Sequence, residues 1–167
     1  MIVSLTRGMQ AVIDDDDAHL VAGYKWQAAV SEPGRFYAAA SPYIRGSGRG
    51  VGQAKIYMHR VIMSAEPNQS VDHIDGDGLN NRRSNLRFCT NTQNMQNMRG
   101  WKTARSKYKG VWWNTRPGRW QADITVNGRK VYIGKYDDEM TAARAYDAAA
   151  LRYFGEFARV NLPAPQE

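Results

Sequence analysis

Residues 108–136 read YKGVWWNTRPGRWQADITVNGRKVYIGKY and carry the clearest structural pattern in the chain. Three runs within this stretch are rich in β-branched and aromatic side chains, which favour strands. They are residues 108–113, 119–126 and 130–136. Pro117-Gly118 separates the first two runs, and Asn127-Gly128, a strong hairpin signal, separates the last two. The pattern predicts a three-stranded antiparallel sheet.

The sequence after this sheet predicts a single helix. Asp137, Asp138 and Glu139 place acidic side chains where a helix N-terminus favours them. Apolar residues then recur at helical spacing up to Phe154, and Gly155 indicates the end of the helix. The recurring residues are Ala142, Ala145, Tyr146, Ala149 and Phe154. We expect the helix to pack on one face of the sheet.

The composition is that of a folded protein without a membrane segment. Hydrophobic residues make up 43% and charged residues 23% of the 167 residues, which argues against disorder. No apolar run approaches the roughly 18 residues of a membrane span, and residues 1–10 do not resemble a signal peptide. The single cysteine, Cys89, excludes an internal disulfide and a cysteine-rich zinc site. We expect an intracellular, cytoplasmic protein in which Cys89 is a buried apolar side chain.

The positive charge is concentrated in one part of the chain. The formal net charge is +7, and between Lys102 and Lys135 there are nine basic residues and one acidic residue, Asp123. Such a stripe is typical of a surface that binds a polyanion, because each phosphate contact releases counterions. A solvated basic surface that keeps the protein soluble is the alternative.

The N-terminal third is predicted to contain short strands and turns. The predicted strands, paired in two hairpins, are residues 1–5, 9–13, 24–30 and 35–40. Asp14 to Asp17 lack the ligand spacing of a calcium loop, so we expect a solvated acidic turn or helix start. Residues 45–52 form a glycine-rich basic stretch that lacks the ending of a phosphate-binding P-loop.

Residues 71–78, VDHIDGDG, carry the candidate chemistry. Phosphodiester hydrolysis requires an activated water, neutralised phosphate charge and a stabilised leaving oxygen. Asp72 and His73 are neighbours at the end of a predicted strand, where adjacent side chains point in opposite directions. Asp72 can then face a metal while His73 faces the attacking water, provided that the backbone turns there. Gly76 and Gly78 favour such a turn.

This segment, followed by NNRRSNLR at residues 80–87 and by Gln93-Asn94, resembles the HNH homing endonuclease family. His59-Arg60 lies where these proteins commonly carry the same pair. The resemblance covers residues 55–99. It implies a ββα-metal fold and a metal-dependent DNA endonuclease that leaves a 5′-phosphate and a 3′-hydroxyl.

The resemblance also implies residue roles by position. His73 would be the general base, and Asn85 would orient His73 and brace the loop. Asp72 would be the first metal ligand and Asn94, on a helix predicted over residues 90–98, the second. Asn91 and Asn97 share the spacing of Asn94, so spacing alone leaves the second ligand open. Two oxygen ligands favour Mg²⁺ or Mn²⁺ over zinc.

Each of these residues has a structural alternative. His73 could be a packed core histidine, Asp72 could cap a turn, and His59 is expected to be structural. Three arginines could either bind phosphates or be exposed surface: Arg82, Arg83 and Arg87. Asparagine in place of the last histidine occurs in family members that resemble nicking enzymes. One active centre per chain cuts one strand at a time.

The C-terminal block resembles the APETALA2 (ethylene-response-factor) DNA-binding domain over residues 106–163, through its strands, its alanine-rich helix and the closing Asn161-Leu162-Pro163. Such domains lay a three-stranded sheet in the major groove. By position, the DNA face would include Lys109, Trp112, Arg119, Trp120, Thr125, Arg129 and Tyr132. Plant members often have arginine where this chain has Trp112 and Thr125, so base preference does not transfer. Since strand neighbours alternate, either Trp112 or Trp113 should face DNA or solvent.

Together these features predict an α+β chain with four segments. They are a β-rich extension of the nuclease (1–54), a ββα-metal nuclease (55–99), a basic linker (100–107) and a DNA-binding domain (108–163). The predicted function is a site-directed strand nickase of homing-endonuclease type, bacterial or phage-encoded, acting on double-stranded DNA. A DNA-binding regulator with an inactive nuclease and an RNA-binding or structural protein are the alternatives. We expect a monomer without a membrane partner or a small-molecule substrate.

Overall fold

A computed structural model describes residues 1–32, 34–41, 55–98, 106–116 and 118–162. The chain divides into two compact units, Met1–Asn91 and Thr92–Glu167. Both contain small antiparallel sheets and helices, as an α+β chain should. The glycine-rich stretch 45–52 and most of the predicted linker 100–107 lie outside the described residues. Among the described helices, none has the length and apolar character that a membrane crossing requires.

The N-terminal unit contains two small sheets that precede the candidate active site. Both predicted hairpins are present, although β3 begins three residues later than expected. The first sheet pairs β1 (Ile2–Ser4) with β2 (Gln10–Val12), and the second has the order β3 (Gln27–Glu32), β4 (Arg35–Ala40), β5 (Ile56–Tyr57). The helices are α1 (Ala18–Val21) and α2 (Met58–Ile62).

A third sheet follows, in which β6 (Ser70–His73) pairs antiparallel with β7 (Leu86–Cys89). The next helix, α3 (Asn91–Asn97), confirms the helix predicted over 90–98, and the division between the two units falls at its first residue. Cys89 is half-buried at the end of β7, opposite Ser70, rather than fully buried as expected.

One hydrophobic core joins the first forty residues to the segment that begins at residue 55. Its members are Leu5, Ala11, Ile13, Val21, Trp26, Ala28, Ala38, Ala40, Met58, Ile62 and Leu86. Ile13, Met58 and Ile62 have no solvent exposure. Because burying a side chain of this size contributes about 1.5–3 kcal/mol, residues 1–40 are part of the same folding unit as the candidate active site.

The C-terminal unit is the predicted three-stranded sheet packed on one helix. The strands are β8 (Val111–Asn114), β9 (Arg119–Val126) and β10 (Arg129–Tyr136), in the order β10-β9-β8, and the helix is α4 (Glu139–Phe154). Asn127 and Gly128 both have positive φ, 50° and 75°, as a two-residue hairpin turn requires. Asp138 caps α4 by accepting the Thr141 N–H at 2.8 Å, and Gly155 ends it with φ 54°.

Strand alternation divides the C-terminal sheet into two faces. Ala122 and Ile124 point to the α4 side, where they pack with Val111, Ala142, Ala143, Tyr146 and Ala150. Gln121, Asp123 and Thr125 therefore point to the opposite side, which we call the open face. The open face is the surface on which a ligand of this sheet would lie.

The chain after α4 is fastened to the start of β8. The Asp147 carboxylate on α4 accepts the backbone N–H groups of Asn161 and Leu162 at 2.7 and 2.9 Å. The Asn161 side chain in turn accepts the Lys109 N–H at 2.6 Å and donates to the Lys109 carbonyl at 3.1 Å. The closing Asn161-Leu162 motif therefore ties the helix to the first strand.

Gly110 is expected to be essential for the stability of the C-terminal unit. Its φ is +73°, and an added Cβ would overlap the Tyr146 ring and the Asp123 carbonyl oxygen. We expect Gly110→Ala to reduce the free energy of unfolding by about 2 to 4 kcal/mol, because backbone strain and overlap add. Urea unfolding followed by tryptophan fluorescence measures the loss.

Gly128→Ala is the matched control for this substitution. Gly128 has nearly the same φ, +75°, but none of the described residues lies within 4 Å of an added Cβ. Only the backbone strain, about 1 kcal/mol, should be lost there. Equal losses for the two variants would show that packing against Tyr146 is not the cause.

Candidate functional site

The β6–β7 pair positions the Asp72–His73 motif. Asp72 lies opposite Arg87, and His73 lies opposite Leu86. Both side chains are buried, with 7% and 4% exposure. The chain turns immediately after them: the Gly76 N–H donates to the His73 carbonyl at 2.9 Å, and Gly76 has φ 74°. The turn on which the sequence hypothesis depended is therefore present.

Asn85 braces the loop 74–80 through its side-chain amide. Its Oδ1 accepts the Asp75 N–H at 3.0 Å, and its Nδ2 donates to Asp75 Oδ1 at 2.9 Å and to the Asn80 carbonyl at 2.8 Å. Asp75 also accepts the Asp77 N–H at 2.8 Å. Burial opposes ionisation of Asp75, but these hydrogen bonds lower its pKa below 3.8. The loop is therefore held by a connected set of charge-assisted bonds.

The His73 ring lies in a cluster of aromatic side chains. Its Nε2 is 3.2 Å from Asn81 Oδ1, and its ring centroid is 5.7 Å from Tyr37 and 4.9 Å from His59. Burial lowers the pKa of His73, although the Asn81 hydrogen bond and the nearby Asp75 oppose this shift. The ring is therefore neutral near pH 7, in the form that can accept a proton.

His59 packs against His73 and was not assigned a catalytic role. It is 8% exposed and stacks on Tyr57 with 5.5 Å between ring centroids. Burial, with a smaller repulsion from His73, lowers its pKa to about 3. Its Nδ1 has no hydrogen-bond partner among the described residues. This packing fits the structural role expected from the sequence.

Acid is expected to destabilise the N-terminal unit because His59 is buried in its neutral form. Its pKa is about 3 in the folded chain and near 6.5 when unfolded, so the unfolded chain binds an extra proton between these values. The stability is therefore complete above pH 6.5 and falls by up to about 1.4 kcal/mol per pH unit below it. Urea unfolding one pH unit on either side of pH 6.5, in EDTA, measures this slope.

Two histidine variants isolate the contribution of His59. His59→Phe keeps an aromatic ring that cannot be protonated, so it should flatten the slope, leaving the part that His73 contributes with the same sign. His19→Gln alters an exposed histidine on α1 and should keep the full slope. A wild-type unfolding free energy that stays constant across the window would contradict the buried neutral form.

The oxygen donors proposed for a metal differ in exposure. Asp72 Oδ2 accepts hydrogen bonds from Arg87 Nε and Nη2 at 3.2 and 3.0 Å, in an ion pair that is almost fully buried. Asn94 is exposed on α3, and Asn91 accepts a hydrogen bond from Ser70. Across the described residues, no three His, Cys, Asp or Glu side chains form a metal cluster. A carboxylate and an amide oxygen fit a hard cation completed by water and phosphate oxygens.

Asp14 to Asp17 lead into α1, as the predicted helix start requires, but Asp17 does not lie in solvent. This carboxylate is 3% exposed and accepts Arg83 Nε and Nη2 at 2.9 and 2.7 Å. Asp14 Oδ2 accepts the Arg83 backbone N–H at 2.8 Å. The partner is 66 residues away, so a local charge pattern could not show it. Arg82 and Arg83 are both exposed, but the Arg83 guanidinium is paired with Asp17.

The open face of the C-terminal sheet combines basic, aromatic and amide side chains around one buried acid. The register of the strands shows which residues lie on the open face: Trp112, Arg119, Gln121, Asp123, Thr125, Lys130 and Tyr132. Asp123 accepts Trp112 Nε1 at 2.6 Å, Lys130 Nζ at 2.9 Å and Gln121 Nε2 at 3.0 Å. Burial raises the pKa of Asp123, but the hydrogen bonds from Gln121, Lys130 and Trp112 outweigh burial and hold the pKa below its ordinary value. The only acid of the basic stripe is thus neutralised within the sheet.

Two residues that were predicted to lie on or near the DNA face make contacts within the protein instead of lying on the open face. Trp120 packs on the α4 side in edge contact with Trp113, because strand pairing places these two residues on one face. Lys109 precedes β8, and its Nζ donates to the Gln96 and Met98 carbonyls at 2.6 and 2.7 Å. Burial, with a smaller effect of Arg159, lowers the Lys109 pKa to about 8. Trp112 faces outward and Trp113 inward, as alternation requires.

The other predicted contact residues are accessible to a ligand. Tyr132 is 58% exposed, and Thr125 is exposed beside it on the neighbouring strand. Arg129 is exposed at the end of the β9–β10 hairpin, but it pairs with Val126 and so has the alternation of the α4 side rather than of the open face. Arg119 is exposed and pairs with Asp137 at 2.7 Å.

Asn81 is the side chain that sequence reasoning missed. It was noted as part of the motif without a role, yet it is fully buried and hydrogen-bonded to His73. The tandem asparagines at residues 80 and 81 were a signal, since buried amides are retained for the bonds that they make.

Comparisons with known proteins find a matching family for each of the two segments whose resemblance was stated from the sequence. Residues 57–96 match the family described as HNH endonuclease, and residues 106–156 match the AP2 domain family. An AP2-like ethylene-responsive transcription factor of Arabidopsis thaliana is 43% identical over 70 residues, which cover 36% of this chain and 23% of the relative. An AP2/ERF and B3 domain-containing protein of Oryza sativa subsp. japonica is 51% identical over 59 residues, covering 35% and 16%.

The chain therefore spans less than a quarter of the length of these relatives. The Asp72–His73 turn and Asn85 fall within the first family match, and the sheet with its open face falls within the second. The chain thus joins a segment that is similar to HNH endonucleases, residues 57–96, to a segment that is similar to AP2 domains, residues 106–156.

Proposed function

We propose that this protein is a metal-dependent, site-directed DNA endonuclease of homing-endonuclease type that nicks one strand and leaves a 5′-phosphate and a 3′-hydroxyl. One observation carries the proposal: Asp72 and His73 are adjacent at a sharp turn that Asn85 braces, within the HNH match. In this proposal β6, β7 and α3 form the ββα-metal motif.

The mechanism assigns one task to each side chain. His73, neutral near pH 7, accepts the proton of the attacking water. Asp72 and Asn94 would hold Mg²⁺ or Mn²⁺, which when bound supplies charge neutralisation at the phosphate and the leaving oxygen. Arg82, exposed beside the loop, would contact the phosphate backbone. Asn85 keeps the loop that carries these groups in one conformation.

The Asp72–Arg87 ion pair has a consequence for this mechanism. With its guanidinium on Asp72, Arg87 competes with a cation for the same carboxylate oxygen. Arg87 would therefore have to leave Asp72 when the metal binds, and it could then pair with a phosphate. This is how the DNA-contact role predicted for Arg87 fits its position in the sheet.

The AP2 domain would direct the nuclease through its open face. Arg119 on this face supplies positive charge for phosphates, and Thr125 and Tyr132 are exposed where base edges could be contacted. Arg129 pairs with Val126 and is therefore not part of the open face, but it is exposed at the hairpin end, where it would contact a phosphate. Trp112 and Lys130 are engaged with Asp123 and would shape this surface. A covalently attached reader raises the local concentration of the nuclease at a bound site.

Tyr132→Ala is expected to weaken duplex binding about tenfold, equal to about 1.4 kcal/mol, because it removes the most exposed aromatic side chain of the open face. Tyr153→Ala is the control, since Tyr153 is also exposed, at 47%, but belongs to α4 on the other side of the sheet. Fluorescence anisotropy with a selected duplex measures both affinities. Equal effects would exclude the open face as the DNA interface.

A sequence-specific DNA-binding regulator with an inactive nuclease domain is the second candidate. The Arabidopsis relative is named as a transcription factor, and Arg87 already pairs with Asp72 in the described structure. The experiment that separates the two candidates is incubation of the full chain with supercoiled plasmid in Mg²⁺, Mn²⁺ or EDTA. The nuclease predicts open-circular DNA in the metal samples alone, whereas the regulator predicts bound but uncut plasmid.

A further inference from the structure

The N-terminal hairpin runs beside the last residues of the loop 74–80. Val12 on β2 donates its N–H to the Leu79 carbonyl at 2.9 Å, and its carbonyl accepts the Asn81 N–H at 2.7 Å. These bonds form a parallel bridge between Val12 and Asn80. The hairpin thus adds a strand-like contact directly to the segment that contains Asn81.

A second attachment to the first 17 residues lies at Arg83, two residues after Asn81. Asp14 accepts the Arg83 backbone N–H, and the buried Asp17 accepts the Arg83 guanidinium through two nitrogens. Asn81 therefore lies between two fixed points, at Val12 and at Arg83, both made by the first 17 residues of the chain. An arginine–carboxylate pair of this geometry fixes direction as well as distance.

Asn81 connects this frame to His73. It has no solvent exposure, and its Oδ1 lies 3.2 Å from His73 Nε2. With the amide oxygen of Asn81 directed at the ring, as described, the contact is a hydrogen bond donated by Nε2 of the neutral imidazole. Nδ1 is then the ring nitrogen that can accept a proton.

We propose that the first 17 residues belong to the catalytic apparatus: through Val12 and the Asp17–Arg83 pair they fix Asn81, and Asn81 selects the tautomer and orientation of His73. Asn81 is a positioning residue in this proposal, since it acts through His73. The proposal rests on the nuclease function, and it gives the N-terminal extension a role beyond its share of the core. A small displacement of a general base lowers turnover strongly, because reaction depends on the geometry of proton transfer.

The test compares two acids of the same turn in the full chain. Asp17→Ala removes the partner of Arg83 and should lower the single-turnover nicking rate by roughly 10- to 100-fold. Asp16→Ala removes the same charge from an exposed neighbour and should keep the wild-type rate. Duplex affinity should not fall in either variant, because loss of an acid does not weaken binding to a polyanion. A wild-type rate for a folded Asp17→Ala would overturn the proposal.

A spectroscopic measurement tests the same contact without activity or metal. Ring ¹⁵N chemical shifts of metal-free wild-type protein, assigned by comparison with His73→Gln, report which nitrogen carries the hydrogen. The proposal predicts the Nε2–H tautomer in the wild type and a mixture of tautomers in Asn81→Ala. An Nδ1–H tautomer in the wild type would overturn it. If the wild type shows Nε2–H but does not nick DNA with any metal, the nuclease function fails while the Asn81 contact stands.

Discussion

Replacement of His73 by alanine is expected to lower the rate of metal-dependent nicking by on the order of 10³-fold, because the general base is removed from the proton transfer. Duplex affinity should be unchanged, since His73 is 4% exposed and lies in the N-terminal unit. Single-turnover nicking and a binding assay on the same DNA measure the two quantities. His19→Ala, an exposed histidine on α1, is the control and should nick at the full rate.

The alternative for His73 is a packed structural role, and it predicts a different result. A structural histidine would lower the stability and leave the rate of the folded fraction close to that of the wild type. His73→Gly with added imidazole separates the cases further, because free imidazole in the vacated space can act as the base. Full nicking by folded His73→Ala would contradict the assignment.

The second large effect is expected for Asp72→Ala. The substitution removes the proposed metal ligand, so nicking should fall by about 10²- to 10³-fold, and Mn²⁺ binding measured by electron paramagnetic resonance should be lost. It also leaves Arg87 buried without its carboxylate, which should cost about 3 kcal/mol of stability. Asp77→Ala, an exposed acid of the same loop, should retain Mn²⁺ binding.

A double variant separates the two consequences of losing Asp72. Asp72→Ala with Arg87→Met replaces the buried pair by apolar groups, which is often neutral for stability. The free energy of unfolding should therefore recover, whereas nicking should not. Recovery of nicking together with stability would show that Asp72 acts only as the partner of Arg87.

The parts of the structure that could be predicted from sequence are those determined by neighbouring residues. Asn127-Gly128 predicts its hairpin because both residues tolerate positive φ, and Asp138 predicts the start of α4 because its carboxylate can cap the Thr141 N–H. The turn after His73 follows in the same way from Gly76. These signals act over a few residues, and no tertiary contact changes their outcome.

The features that sequence analysis missed depend on contacts between distant residues. Asp17 was expected in solvent because its partner, Arg83, is 66 residues away. Trp120 was placed on the DNA face together with its strand neighbour Arg119, although neighbours in a strand point to opposite faces; the pairing of Trp120 with Trp113 places it on the α4 side. The role of orienting His73 was assigned to Asn85 and not to Asn81, because the family motif includes only the asparagine that braces the loop.

The most direct test of the central claim is cleavage of supercoiled plasmid carrying a selected binding site, by the wild type and by His73→Ala, with Mg²⁺ or Mn²⁺ and with EDTA. We predict open-circular product with one nick near the bound site, ending in a 5′-phosphate and a 3′-hydroxyl, which EDTA and His73→Ala both abolish. Tight binding of the site without metal-dependent cutting, for plasmids from several sources, would contradict the nuclease and identify a DNA-binding regulator.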